Sequence, residues 1–231
     1  MTDQTKTLVT SDSAAVVETS LLAFGAGMSV QSRTDVKNSF LFASLVAAYN
    51  SDDSKLDEDW FTHFLAAMRD CGWVIAKRTY ERENTTEQSL KLANIVLEAV
   101  RTATTGLIGG AAVSAILTTL ADQALQNLPK NDKAMELFKR NVLSKAAATV
   151  GLAACKQTEE GEILMAIGAA QHMTSQEDVG VVFFDWDGAR STTFKGTVSL
   201  SFNPVLYERV RASIEERLGE RAVSRIAEYQ I

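Results

Sequence analysis

The sequence predicts an α/β fold of the α+β type, in which one central, mainly antiparallel sheet is wrapped by helix layers. Four strand-length runs between Lys145 and Phe202 carry this prediction: Val150–Cys155, Ile163–Ile167, Val179–Phe184 and Thr193–Phe202. Their polar connections are too short for the crossovers that parallel strands need, so we expect an antiparallel meander. Two of the runs are apolar on both faces, which predicts helices on both sides of the sheet.

The last of these runs has the clearest alternation. From Thr193 to Phe202, apolar residues or glycine occupy every even position and polar residues occupy every odd one. A period of two predicts one buried face and one face that is polar or lightly covered. Asp187-Gly188 is a hairpin signal, so we expect a hairpin that joins Val179–Trp186 to Thr193–Phe202.

The chain begins with short elements. Residues 1–13 are polar and expected to be loose, with a short edge strand at Thr7–Thr10. We expect a helix over Ala14–Phe24, capped by Ser13 or Asp12. A helix that starts at Asp35 is apolar nearly all round and should be deeply buried.

A helix–strand pair follows. Apolar residues at i+4 spacing predict an amphipathic helix over Leu56–Cys71, with Gly72 as its C-terminal cap. His63 lies off the apolar stripe and is expected at the surface. The segment from Gly72 to Tyr80 is rich in strand-forming residues and predicts a strand.

Helices dominate the middle of the chain. Thr85 with Gln88 matches a capping box and should start a helix that continues to Val100. The stretch Thr102–Ala121 has no charge and could span a bilayer by length, but its hydroxyls and glycines favour a buried core helix. We expect a short amphipathic helix over Asp132–Leu143.

The chain closes with a helix. Asn203-Pro204 predicts an N-cap followed by proline at the first helical position, and Gly219 should end the helix. A last segment of turn length carries Ile226 and Tyr229. Because the 231 residues are 46% hydrophobic and contain no linker or repeat, we expect a single domain over residues 1–231.

Charge and cysteine content exclude some functions. The net charge of −6 argues against a nucleic-acid partner, which requires a basic surface. No signal peptide is evident, so we expect synthesis in the cytoplasm, with release by an unconventional route left open. Cys71 and Cys155 should be free thiols.

No motif for catalysis, cofactor binding or metal binding is present, and we expect no enzyme and no cofactor. Glycine-rich phosphate loops, G-x-S-x-G elbows and zinc-binding cysteine spacings are absent from the sequence. Cys155 with His172 is a conceivable nucleophile and base, but two core-strand residues are favoured. Asp185 and Asp187 fit solvated turn residues better than an acid–base pair.

The order of elements resembles the Cyt-type cytolytic δ-endotoxins and the related fungal volvatoxin. The resemblance covers the segment Ile95–Val100, the apolar stretch Gly106–Leu128, the late strands with Val182–Phe184, and the closing helix. It implies a Cyt-like fold, a sheet wrapped by helix layers, in a protein that binds lipid and then rearranges or oligomerises on the membrane. A looser resemblance to the Erwinia virulence factor type, which is associated with acyl-cysteine chemistry, makes Cys155 a candidate for S-acylation.

The resemblance implies a membrane-active, toxin- or virulence-factor-like protein that binds membrane lipid and can form homo-oligomers there. The alternative is a non-lytic, host-directed binding or virulence module of the same fold. The candidate membrane-inserting residues are the large side chains of the predicted hairpin: Val181, Phe183, Phe184, Trp186, Phe194, Val198, Leu200 and Phe202. The covering helices would have to leave the sheet before such a hairpin could enter lipid.

Overall fold

The computed structural model describes residues 7–52, 58–82, 92–144, 147–173 and 193–231, and these residues form one sheet with helices on both faces. The strands of the described residues are β1 (Ser13–Val17), β2 (Ser20–Phe24), β3 (Trp73–Arg82), β4 (Ala147–Gln157), β5 (Ile163–Met173), β6 (Thr193–Phe202) and β7 (Ile226–Gln230). The helices are α1 (Val30–Asn50), α2 (Asp59–Asp70), α3 (Leu92–Thr104), α4 (Gly110–Asn127), α5 (Asp132–Leu143), α6 (Pro204–Leu218) and α7 (Glu220–Arg225), with a 3-10 turn at Leu128–Lys130.

The sheet has the strand order β3-β6-β5-β4-β2-β1-β7 among the described residues. All neighbouring strands in this order run antiparallel, except that β2 and β4 are parallel. The predicted mainly antiparallel sheet is therefore confirmed. The run Val179–Phe184 lies outside the described residues.

Two hydrophobic cores lie on opposite faces of the sheet. One contains buried side chains of α3, α4 and α5, including Val96, Leu120 and Phe138. The other contains buried side chains of α1, α2 and α6, and Phe40 and Ile214 belong to it. Alternate residues of the central strands contribute to each core, as the side-chain period of a strand requires. The prediction of helices on both faces is confirmed.

Several helix boundaries follow the signals in the sequence. The helix α5 covers the predicted range Asp132–Leu143, and the Asn131 side chain caps it by accepting a hydrogen bond from Ala134 N. Asn203 caps α6 in the same way, with Pro204 at the first helical position. Gly72 follows α2 with φ of +83°, which suits a C-terminal glycine.

The predicted helix over Ala14–Phe24 is wrong, because this segment forms the hairpin β1–β2. Its residues are buried on both faces, so the continuous apolar pattern fits an interior strand as well as a helix. The turn places Glu18 at φ of +54°, a conformation that glycine usually adopts. Asn141 donates to the Glu18 carbonyl at 2.8 Å and Arg225 donates to its carboxylate at 2.6 Å. These partners hold an unfavourable turn residue in place.

The last segment is a strand, where we predicted only a segment of turn length. β7 pairs antiparallel with β1 over five residue pairs, from Ser13 with Gln230 to Val17 with Ile226. Tyr229 is buried and its hydroxyl donates to the Ala124 carbonyl of α4 at 2.8 Å. The alternation of Ala227 and Tyr229 with exposed Glu228 and Gln230 is the strand signal that the turn interpretation overlooks.

The predicted core helix over Thr102–Ala121 is also wrong in part, because the stretch is divided between two helices. α3 ends at Thr104 and α4 begins at Gly110. Gly109 and Gly110 have φ of +113° and +64°, which ends one helix and lets the chain reverse into the next. Only part of the stretch is buried, and α4 exposes the side chains of its first turn.

Replacing Gly168 of β5 by alanine should destabilise the protein strongly. A Cβ at this position would lie 2.2 Å from the Val96 carbonyl oxygen and 2.7 Å from Val100 N, so the backbone of α3 would have to move. We expect a loss of about 3 kcal/mol, the upper end for overpacking, measured by urea unfolding. Gly196→Ala is the matched control, because the atoms nearest to its Cβ would be side-chain atoms of the Phe61 ring, at 3.1 Å, and not backbone atoms. Equal losses would contradict the close α3–β5 packing.

Candidate functional site

The side chains predicted to enter a membrane lie inside the fold wherever the structure describes them. Val198, Leu200 and Phe202 of β6 are buried in the core beneath α1, α2 and α6. Phe194 is half-buried and its ring stacks on that of Tyr80, with the ring centroids 5.4 Å apart. The other four candidates, Val181, Phe183, Phe184 and Trp186, lie outside the described residues.

Both edges of β6 are already occupied by other strands. β3 pairs with it from Phe194 to Phe202, and β5 pairs with it from Thr193 to Phe202. The expectation that its polar face is lightly covered is wrong, because α3 lies on that face. Ser199 is fully buried there and donates a hydrogen bond to the Ala103 carbonyl. In the folded protein β6 is thus paired on both edges and packed on both faces.

The structure does not bring Cys155 and His172 together. Cys155 of β4 pairs with Met165 of β5, and His172 follows Met165 by seven residues on that strand. At a rise of ~3.3 Å per residue this places the two backbones roughly 23 Å apart along the sheet. Cys155 is fully buried, and burial raises the pKa of its thiol. S-acylation at Cys155 stays a prediction and would require the layer of α1, α2 and α6 to separate from the sheet. Asp185 and Asp187 lie outside the described residues.

Both thiols should react slowly in the native protein and fully after denaturation. Cys71 and Cys155 are free and buried, and burial raises the pKa of Cys71 to about 12. A raised pKa leaves little thiolate at pH 8, and the thiolate is the reactive form. Titration of unreduced protein in denaturant should return two thiols. A value of one would indicate a modified cysteine, which mass spectrometry would locate.

An uncharged, exposed turn joins α3 to α4. We call residues 105–112 the α3–α4 tip; no charged residue occurs between Arg101 and Asp122. Ile108 is the most exposed aliphatic side chain of the described residues, at 79% exposure. The next residues, Gly109, Gly110, Ala111 and Ala112, are exposed as well. The turn thus exposes one large aliphatic side chain among small uncharged residues, and we take it as the candidate contact site.

The tip is held in place by backbone contacts. Gly106 N donates to the Ala103 carbonyl at 3.1 Å and Leu107 N donates to the Thr104 carbonyl at 3.2 Å. A Cβ at Gly106 would lie 2.4 Å from Ser199 Oγ, so only glycine lets the turn sit this close to β6. The Thr104 and Ser114 hydroxyls are 2.6 Å apart and join the two helices just behind the turn. Ile108 therefore lies on a turn that is held by hydrogen bonds and close packing.

Two cations flank the tip. Lys77 of β3 is exposed, and its Cβ lies 2.9 Å from the position that a Gly106 Cβ would take. Arg101 in the last turn of α3 is about half exposed and pairs with Glu98 at the surface, with 3.6 Å between the charged atoms. Val74, on the same strand as Lys77, adds another exposed apolar side chain. The surface around the tip combines apolar and positively charged groups.

The closing helix is fastened to the opposite face by a buried ion pair. Arg211 of α6 donates two hydrogen bonds to the Asp35 carboxylate of α1, at 2.9 Å and 2.7 Å. The Asp35 side chain is only 4% exposed. Paired guanidinium–carboxylate contacts fix geometry, and breaking one leaves a buried charge without its partner. Separation of α6 from α1 would therefore be energetically unfavourable.

Sequence reasoning did not find the tip as a site. The absence of charge from Thr102 to Ala121 was visible, and so was the Gly109-Gly110 pair that divides it. The pair is the signal that could have predicted a turn, and with it an exposed apolar tip in place of a buried helix. Among the described helices, none combines the length and the apolarity that crossing a bilayer requires.

The described residues define an α+β protein with a mixed sheet between two helix layers and an uncharged helical tip at its surface. A solved δ-endotoxin structure is similar to this chain at a TM-score of 0.39 and 11% identity, covering 81% of this chain and 84% of its own. The activated Cyt2Ba monomer from Bacillus thuringiensis subsp. israelensis is similar at a TM-score of 0.36 and 9% identity, covering 75% and 92%. The Evf virulence factor is similar at 0.28 and 9%, covering 90% and 82%.

These structures belong to the two groups that the sequence resembles. No family model matches the chain, and no curated protein does.

Proposed function

We propose that this chain is a non-enzymatic, toxin- or virulence-factor-like protein that binds lipid surfaces, and that the α3–α4 tip makes the first contact. The observation that carries the proposal is the exposure of Ile108 on an uncharged, hydrogen-bonded turn next to Lys77 and Arg101. An exposed aliphatic side chain gains free energy when it leaves water for the interfacial region of a bilayer.

The neighbouring cations support anionic lipid as the target. A basic residue near a negatively charged membrane surface contributes on the order of 1 kcal/mol, and salt weakens this attraction. Lys77 and Arg101 lie beside the tip, while the chain as a whole carries a net charge of −6. Binding should therefore depend on orientation, with the tip toward the membrane, and should weaken at high salt.

Permeabilisation would be a second and separate step. β6 offers an apolar face and a hydroxyl-bearing face, the arrangement that a β-lined lesion requires, but both faces are covered by helices. Unpaired strand edges are unfavourable in lipid, so a lesion would require oligomerisation as well as release of the helices. The complete packing of β6 favours a second candidate function, a binding module that contacts membranes without lysing them.

Vesicle experiments test the proposal and separate the two candidates. The purified chain should co-sediment with vesicles of mixed phosphatidylglycerol and phosphatidylcholine, and less so in about 0.5 M salt, where screening is strong. Release of an entrapped dye would support the lytic function, whereas binding without release would support the non-lytic module. Absence of binding to every vesicle composition would refute lipid binding and leave the host-directed binding module of the same fold as the alternative.

A further inference from the structure

A groove beside α4 is lined by residues that do not belong to the α3–α4 tip. It has a volume of about 390 Å³ and lies between α4 and the ends of β2 and β4. Gly25, which follows β2, forms part of its floor, since a Cβ there would lie 3.3 Å from Leu120 Cδ1 and 3.8 Å from Lys156 Cβ. This volume is within the range of small-molecule sites. We call it the α4 groove.

Two opposite charges line the α4 groove. The Asp12 carboxylate is held at the wall, where its Oδ1 accepts a hydrogen bond from Ala26 N at 2.6 Å. Lys156 is half-buried in the groove and has no ion pair within 4.0 Å among the residues that the structure describes. Thr119 and Gln123 of α4 add a hydroxyl and an amide, and Ile116 and Leu120 supply an apolar wall.

This lining favours one chemical class of ligand. A singly charged anion would be attracted by Lys156 but repelled by Asp12. A singly charged cation would be attracted by Asp12 but repelled by Lys156. A neutral apolar ligand would desolvate the Lys156 ammonium without compensation, which is unfavourable. A zwitterion with an apolar side chain matches all three parts of the lining.

We propose that the α4 groove binds a free α-amino acid with an apolar side chain. The ligand carboxylate meets the Lys156 ammonium, the ligand ammonium meets the Asp12 carboxylate, and the apolar side chain packs on Ile116 and Leu120. The Thr119 hydroxyl and the Gln123 amide are available for further hydrogen bonds. This proposal does not rest on membrane binding, because it uses neither the α3–α4 tip nor β6.

Titration calorimetry of the full chain with L-leucine tests the proposal. We expect a dissociation constant of about 1 mM or tighter. Two analogues, 3-methylbutylamine and 4-methylpentanoate, each lack one of the charges and should bind at least about tenfold more weakly. Glycerophosphocholine serves as a probe for a lipid headgroup, which is also a zwitterion, and should give no heat.

Charge-removing variants sharpen the test. Lys156→Met and Asp12→Asn should each weaken leucine binding at least about tenfold, and in the second variant the amide oxygen can still accept from Ala26 N. Relative to leucine, Lys156→Met should bind 3-methylbutylamine better, and Asp12→Asn should bind 4-methylpentanoate better. Thr119→Trp should block the groove from the exposed side of α4, and Lys133→Met, on the surface of α5, should change nothing. Unfolding midpoints check that each variant folds.

The proposal is overturned if leucine gives no heat at 10 mM, roughly tenfold above the expected dissociation constant. It is also overturned if the single-charge analogues bind as well as leucine, or if the two charge variants bind leucine unchanged. Binding of glycerophosphocholine in place of leucine would assign the groove to a headgroup. None of these results bears on vesicle binding through the tip.

Discussion

Replacing Ile108 by aspartate is expected to reduce binding to anionic vesicles by at least about tenfold. The substitution removes an aliphatic side chain whose transfer from water contributes roughly 1.5–3 kcal/mol, and each 1.4 kcal/mol is about a factor of ten in affinity. It also places a negative charge against an anionic surface. Because Ile108 is 79% exposed, the fold should not change. Vesicle co-sedimentation over a lipid titration measures the effect.

A matched variant controls for the general loss of exposed apolar surface. Tyr49, at the end of α1 on the other side of the sheet, is 89% exposed, and Tyr49→Asp should leave vesicle binding unchanged. Ile108→Leu keeps the apolar character and should bind as well as the original chain. If Ile108→Asp binds normally, or if both aspartate variants lose binding equally, the tip is not the contact site.

A disulfide between the α3–α4 tip and β6 is expected to abolish dye release while leaving vesicle binding intact. In the double variant Gly106→Cys with Ser199→Cys, the Cβ atoms would be 3.1 Å apart and the new Cβ at position 106 would be 2.9 Å from Lys77 Cβ. The turn would have to move outward by about half an ångström, which also brings the two Cβ atoms to disulfide geometry. The bond would fasten α3 and α4 over the hydroxyl-bearing face of β6. Ile108 would remain exposed, so contact with lipid would continue. Leakage should fall at least about tenfold in the oxidised form, because separation of this layer would break a covalent bond.

Reduction of the same double variant provides the control. Any strain from the two substitutions is present in both forms, so recovery of leakage on addition of reductant isolates the effect of the bond. Cys71 and Cys155 are buried and should not compete for the new thiols. Equal leakage from oxidised and reduced protein would mean that the protein permeabilises vesicles without separation of α3 and α4 from β6. If the original chain releases no dye at all, the lytic function is refuted and the non-lytic function replaces it.

Local signals in the sequence predicted the elements whose ends carry specific capping residues. Asn203-Pro204 and Gly219 defined α6, and helical spacing defined α5, which Asn131 caps. The hairpin β1–β2 could not be predicted in this way, because its strands are buried on both faces and its turn contains no glycine. A turn residue such as Glu18 adopts positive φ only because Asn141 and Arg225, far along the chain, satisfy its polar atoms. Tertiary contacts of this kind leave no local signature.

The candidate site was harder to predict than the fold. Alternation along Thr193–Phe202 correctly indicated a strand with an apolar face, but alternation is the same for a core strand and for one that can enter lipid. Which it is depends on what covers the strand, and α3 covers the polar face through Ser199. Conversely, the stretch Thr102–Ala121 is apolar enough to be buried in a core. Ile108 is nevertheless exposed, because Gly109 and Gly110 turn the chain next to it.

The strand order also has a consequence for how the protein is made. β1 and β2 leave the ribosome before their outer partners, β7 and β4, and Ser13 pairs with Gln230. Until those later strands are synthesised, the nascent hairpin has two open edges and two uncovered apolar faces. Strands in this state associate readily with other chains, and pairings this distant form slowly. Biosynthesis of this protein should therefore depend on molecular chaperones that shield β1 and β2, and the yield of folded chain should fall when they are depleted.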